Sequence, residues 1–77
     1  MSRRNAILAA ITALENDANF SYPIREWAFR LRSGRELRAD SVHDSQGYFL
    51  LLQGTEGDGF VFVVADEIEA FWPVTEA

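Results

Sequence analysis

The chain has 77 residues, an apolar fraction of 48% and a formal net charge of −5. That length makes one domain near the lower limit for a self-sufficient core, and the apolar fraction is too high for a disordered chain. With no cysteine it has neither a disulfide framework nor a thiolate metal site. This fits a reducing cytoplasm, and no apolar run approaches the roughly 20 residues that span a bilayer.

Ser2-Arg3-Arg4 follows Met1, but Asn5, Thr12 and Glu15 break the segment after it, so it does not read as a signal peptide. All seven basic residues are arginine. Five of the seven lie between Arg25 and Arg38, whereas Asp40 to Ala77 carries eight of the twelve acids and no Arg or Lys. The separation predicts a bipolar surface. The negative balance makes a poor general binder of nucleic acid, because phosphate contacts need a basic surface.

Ser2 is placed to N-cap a helix over 1–20 in which Ile7, Ile11, Leu14 and Ala18 form one stripe at a 3.6-residue period. Asn16-Asp17-Ala18-Asn19 reads as its frayed end, and Pro23 bars Tyr22 from continuing it. Lacking a basic polar face, the helix reads as a lid on one open face of a sheet rather than a membrane-surface element.

The sheet is expected over 24–74. Two alternating segments meet at Ser33-Gly34, a tight reversal between antiparallel strands. The first, about Ile24–Arg32, sets Trp27, Phe29 and Leu31 on one face and Ala28, Arg30 and Arg32 on the other. The second, about Arg35–His43, sets Leu37, Ala39 and Ser41 inward and Glu36, Arg38 and Asp40 outward. With Ser33-Gly34-Arg35 as the loop, Arg32 faces Glu36 and Arg30 faces Arg38. Opposed arginines need a carboxylate or an anion between them. The choice lies between a solvated stripe neutralised by Glu26, Glu36 and Asp40 and an anion-binding stripe.

His43-Asp44-Ser45-Gln46-Gly47 reads as a polar turn. Tyr48–Leu52 and Phe60–Val64 are apolar without alternation, so both faces of these strands need cover. The interior of a small barrel covers one and the helix part of the other; any surplus predicts a protein partner or self-association. The Gly54–Gly59 segment leads into a strand and carries two acids, which suits a hairpin loop and not a phosphate cradle. Asp66-Glu67 makes a sharp step into Ile68–Val74, where Pro73 marks an edge or a strand end. The fold class is therefore α+β, mainly β: one domain over 1–77, with an N-terminal helix before a strongly bent five-stranded antiparallel sheet.

The chain resembles the Sm-like family, which includes the bacterial RNA chaperone Hfq and its relatives. The residues that carry the likeness are Leu31-Arg32-Ser33-Gly34-Arg35-Glu36-Leu37-Arg38-Ala39, Asp44 before Tyr48–Leu52, and Ile68-Glu69-Ala70-Phe71-Trp72-Pro73. The resemblance implies a helix followed by a small barrel of SH3-like shape. Where Hfq carries a Lys-His pair before the strand-five Ile, this chain has Asp66 and Glu67, and Ala39 replaces the family glycine. The Rof (YaeO) group of small acidic Rho inhibitors is similar in Phe29–Ala39, alanine included, and in Ala65-Asp66-Glu67-Ile68-Glu69-Ala70-Phe71. That similarity implies a protein that presents carboxylates to the basic RNA-binding surface of a partner.

A single histidine and no cysteine leave few ways to activate a nucleophile, and adjacent His43 and Asp44 on a strand point to opposite faces. No catalytic residue, metal or cofactor is expected. The leading expectation is a non-enzymatic protein–protein interaction module that occludes a basic nucleic-acid-binding surface, as a bacterial or phage-type inhibitor of transcription regulation. Its partner-binding residues are Asp40, Asp44, Glu56, Asp58, Asp66, Glu67, Glu69 and Trp72. The alternative is an Sm-like homo-oligomer, paired through its edge strands, that binds RNA with Arg30, Arg32 and Arg38.

Overall fold

In the computed structural model, which describes residues 3–44, 48–54 and 59–75, one helix precedes five strands. They are α1 (Arg3–Glu15), β1 (Ile24–Leu31), β2 (Glu36–Asp44), β3 (Phe49–Gly54), β4 (Phe60–Val64) and β5 (Ile68–Thr75), with a 3-10 turn, η1 (Ala65–Glu67), between the last two. The strands form one antiparallel sheet in the order β4-β3-β2-β1-β5. The expected helix and five-stranded antiparallel sheet are both present. The sheet is open, however: β4 and β5 are its two edges and do not pair, so it does not close into a barrel.

α1 stops at Glu15, earlier than the expected 20. Both the backbone N–H and the side-chain amide of Asn16 donate to the Thr12 carbonyl, and the Asp17 carboxylate accepts the Asn19 N–H at 2.9 Å. The Asn16 backbone bond is itself helical; beyond it the Asp17 N–H turns to the Leu14 carbonyl at 3.2 Å, and the side-chain bonds of Asn16 and Asp17 compete with helix propagation. Ile7 and Ile11 are buried and Leu14 is half-buried, while Ala18 falls outside the helix and is exposed.

The β1–β2 reversal uses the loop Arg32-Ser33-Gly34, one residue earlier than expected. The Gly34 N–H donates to the Leu31 carbonyl at 2.9 Å and the Leu31 N–H to the Arg35 carbonyl at 2.8 Å. Gly34 takes the left-handed position with φ 91°. A type I turn followed by a left-handed residue is a common three-residue hairpin, and glycine suits its third position. The register follows: Arg30 lies opposite Glu36, and Arg38 opposite Ala28. The expected facing of Arg30 with Arg38 does not occur.

A second departure lies in β2, where Asp40 is an extra residue between the pairs Ala39–Gly54 and Ser41–Gln53. Such a bulge flips the alternation beyond it. Val42 therefore joins the core side and Ser41 does not, contrary to the expected inward Ser41.

The core lies between α1 and the inner face of the sheet. Ile7 and Ile11 meet Trp27, Phe29, Ala39, Leu50, Leu52, Val63, Ala65 and Ile68, with Leu31, Leu37 and Phe71 partly buried against them. The Phe71 ring stacks on Phe29 and tilts against Trp27, at 6.2 Å between centroids in each case. The helix thus covers the inner face, and it gives the outer face of β3 and β4 no cover. The sequence pattern predicts Leu31, Leu37, Leu50 and Phe62 in one core beneath the helix; the first three are there, but Phe62 is exposed on the outer face.

Candidate interaction surfaces

The outer face of the sheet divides into a charged half and an apolar half. The charged half lies on β1, β2 and β5. Arg38 Nη1 contacts Glu26 Oε1 at 3.0 Å and its Nε contacts Glu36 Oε2 at 3.3 Å, while Arg30 Nε lies 3.6 Å from Glu69 Oε2. Hydrogen bonding to Glu26, and then to Glu36, raises the Arg38 pKa above its ordinary value. Arg38 and Trp72 flank Ala28, which is wholly buried though it sits on the outer face.

One of these pairings joins the arginine-bearing hairpin to the acids beyond Asp40. β5, whose one acid is Glu69, runs antiparallel to β1, so Glu69 meets Arg30 although the two are far apart in the chain. Of the expected neutralising acids Glu26 and Glu36 hold Arg38, Glu69 lies against Arg30, and Asp40 enters no ion pair among the described residues. Arg32 stands apart on the exposed hairpin loop.

Of the expected partner-binding acids within the described residues, Asp66 and Glu67 lie on η1, Glu69 on β5 and Asp40 on β2. Asp66 and Glu67 lie together on η1, both exposed, and among the described residues neither enters an ion pair. Their turn is well anchored. The Arg32 N–H donates to the Glu67 carbonyl at 2.9 Å, and the Ala65 N–H to the Tyr48 carbonyl at 2.8 Å. The Ile68 N–H donates to the Ala65 carbonyl, and the Arg3 guanidinium from α1 donates to the Ile68 carbonyl, through Nε at 3.1 Å and also through Nη2. Glu69 follows directly on β5. Asp40 is exposed at the β2 bulge, on the border of the two halves. The Asp44 backbone closes β2 opposite Leu50; its side chain, like Glu56 and Asp58, lies outside the described residues. Trp72 is half-buried beside Ala28, a partly accessible ring and not a core residue.

The apolar half was legible in the sequence only as a surplus. Phe49, Phe60, Phe62 and Val64 occupy the outer face of β3 and β4, with Tyr48 beside them; Phe62 is 64% and Tyr48 70% exposed. Phe49 and Phe62 meet edge to face at 6.5 Å, and the His43 ring lies 6.2 Å from Phe60. β3 and β4 contain no charged residue. His43 contacts the Gln53 amide oxygen at 3.5 Å, and no group of three His, Asp or Glu residues is arranged to hold a metal among the described residues. A cleft of about 300 Å³ lined by Leu14, Glu15, Phe20, Tyr22, Pro23 and Ile24 opens where α1 ends. Among the described residues no helix is long and apolar enough to cross a membrane. Comparison with protein-family models, with curated proteins and with solved structures finds no match to this chain.

Proposed function

We propose that this protein is a non-enzymatic interaction module that docks its acidic corner, Asp66 and Glu67 with Glu69 alongside, onto a basic nucleic-acid-binding surface of another protein and so occludes it. The observation that carries the reading is the contrast between two sets of charges. Arg30 and Arg38 are neutralised by carboxylates within the chain, whereas Asp66 and Glu67 project from an anchored turn without an ion pair among the described residues. Preformed, unpaired carboxylates on a protein of net charge −5 steer it toward basic surfaces and lose little entropy when paired there. The likeness to Rof-like inhibitors in Ala65–Phe71 points the same way. Trp72 supplies partly accessible aromatic area on the same strand as Glu69. RNA binding by Arg30, Arg32 and Arg38 is the weaker reading, because two of those three side chains are already held by carboxylates.

The test is affinity capture from the native host at low and moderate salt, with mass spectrometry, using the wild type and a triple variant with Asp66, Glu67 and Glu69 each changed to Lys. The expected result is a nucleic-acid-binding partner that the variant loses and that excess RNA or DNA displaces from the wild type. Capture indifferent to the substitutions, to salt and to competing nucleic acid would overturn the proposal.

A further inference from the structure

The backbone of β4 carries an inference separate from the acidic corner. Along the β3–β4 ladder the Gly54 N–H donates to the Gly59 carbonyl at 3.1 Å, and the Ala65 N–H to the Tyr48 carbonyl at 2.8 Å. In an antiparallel pair, mutually bonded residues alternate with unbonded ones. With Leu52 opposite Val61 and Leu50 opposite Val63, it is therefore Val61 and Val63 that bond to β3. The N–H and C=O groups of Phe60, Phe62 and Val64 face away from the sheet. The same three residues project their side chains from the outer face, where all are exposed.

We propose that β4 is a self-pairing edge through which two copies of this chain form a two-fold antiparallel dimer centred on Phe62. A two-fold axis at Phe62 sets that residue opposite its own copy and Phe60 opposite Val64 of the second chain. Every outward N–H and C=O of β4 then finds a partner, and Phe60, Phe62 and Val64 become cross-strand neighbours on one face. On the inner face the same register brings Val61, 44% exposed in one chain, against Val63 of the other.

Two observations select a second copy as the occupant. First, the sheet's edges are unequal. β5 carries Pro73, Glu69 and a bulge, the devices that discourage strand addition, whereas β4 reads Phe-Val-Phe-Val-Val with no charge, proline or register shift. Second, each copy carries a charge of −5, and β3 and β4 form a surface without charged side chains where two such chains can meet. A nucleic acid would find no cation on these strands, and a basic protein no carboxylate.

Sedimentation equilibrium of the full chain over a wide concentration range is expected to give a monomer–dimer equilibrium. Phe62→Lys places like charges against each other across the axis and should leave only monomer, with an unchanged far-ultraviolet circular dichroism spectrum; Tyr22→Lys, on exposed residue 22 remote from β4, should leave the dimer intact. The chain has no cysteine, so Phe62→Cys creates a single thiol. Mutually bonded antiparallel residues lie about 5.5 Å apart at Cα, within the disulfide range of roughly 4.4–6.8 Å. Mild oxidation should therefore cross-link Phe62→Cys efficiently and a Glu69→Cys variant on the other edge poorly. A wild type monomeric at every concentration overturns the proposal. So does a Phe62→Lys protein that still dimerises, equal cross-linking of the two cysteine variants, or assembly into rings of more than two copies.

Discussion

At the scale of single residues, Gly34 decides the most. Its φ of 91° lies where a Cβ is strained, although open space surrounds the position. The cost of a side chain there is therefore conformational, about 1–2 kcal/mol for Gly34→Ala, with Gly34→Asn cheaper because asparagine tolerates the left-handed region. Urea unfolding of the two variants measures this; an alanine no costlier than the asparagine would mean the hairpin has shifted register. The same residue marks a limit of sequence reading. Ser33-Gly34 announced a reversal, but a glycine that needs positive φ fits loops beginning at Arg32 or at Ser33. Only the bonds between Leu31 and its two partners, Gly34 and Arg35, choose between them. That choice moved Arg30 from Arg38 to Glu36, and with it the arrangement of the whole arginine stripe.

At the scale of elements, the helix holds the inner face shut. Ile7 and Ile11 are its buried residues, and its first turn is tied to β5 through Arg3 and the Ile68 carbonyl. Deleting a buried isoleucine to alanine costs about 2–5 kcal/mol, against roughly 0.05–0.15 kcal/mol per residue of total stability for a domain. Ile11→Ala should therefore remove a large share of the stability of so small a chain, while Ala13→Ser on the exposed side of α1 should cost far less. Denaturant midpoints of the two variants check it, and equal shifts would detach the helix from the core. The helix, the five strands, the order of their buried stripes and the proline-bearing edge were legible, because period and breakers follow from local sequence. The bulge at Asp40 was not. Strict alternation ran on to Ser41, and the one available signal was the apolar Val42 that such a phase leaves outside. Nor could the local pattern say which face the helix covers, since Phe60–Val64 is apolar on both.

At the scale of the molecule, the division of the outer face separates two kinds of association by their response to salt. The corner at Asp66 and Glu67 attracts through charge, and binding of a basic partner there should weaken as ionic strength rises and the screening length falls below about 10 Å. Pairing through β4 joins two chains that each carry −5, so screening should favour it while leaving the contact of Phe62 with its copy untouched. Raising sodium chloride from about 0.05 M to about 0.5 M shortens the Debye length several-fold, which leaves short apolar contacts and backbone bonds in place. Two measurements on one salt series follow: sedimentation of the protein alone, and affinity for the basic partner once captured. Opposite slopes are expected, with a stronger dimer and a weaker complex at high salt. A dimer that dissociates as salt rises would show that ion pairs hold it, and would move the self-association away from the uncharged β4 edge and onto the charged half of the sheet.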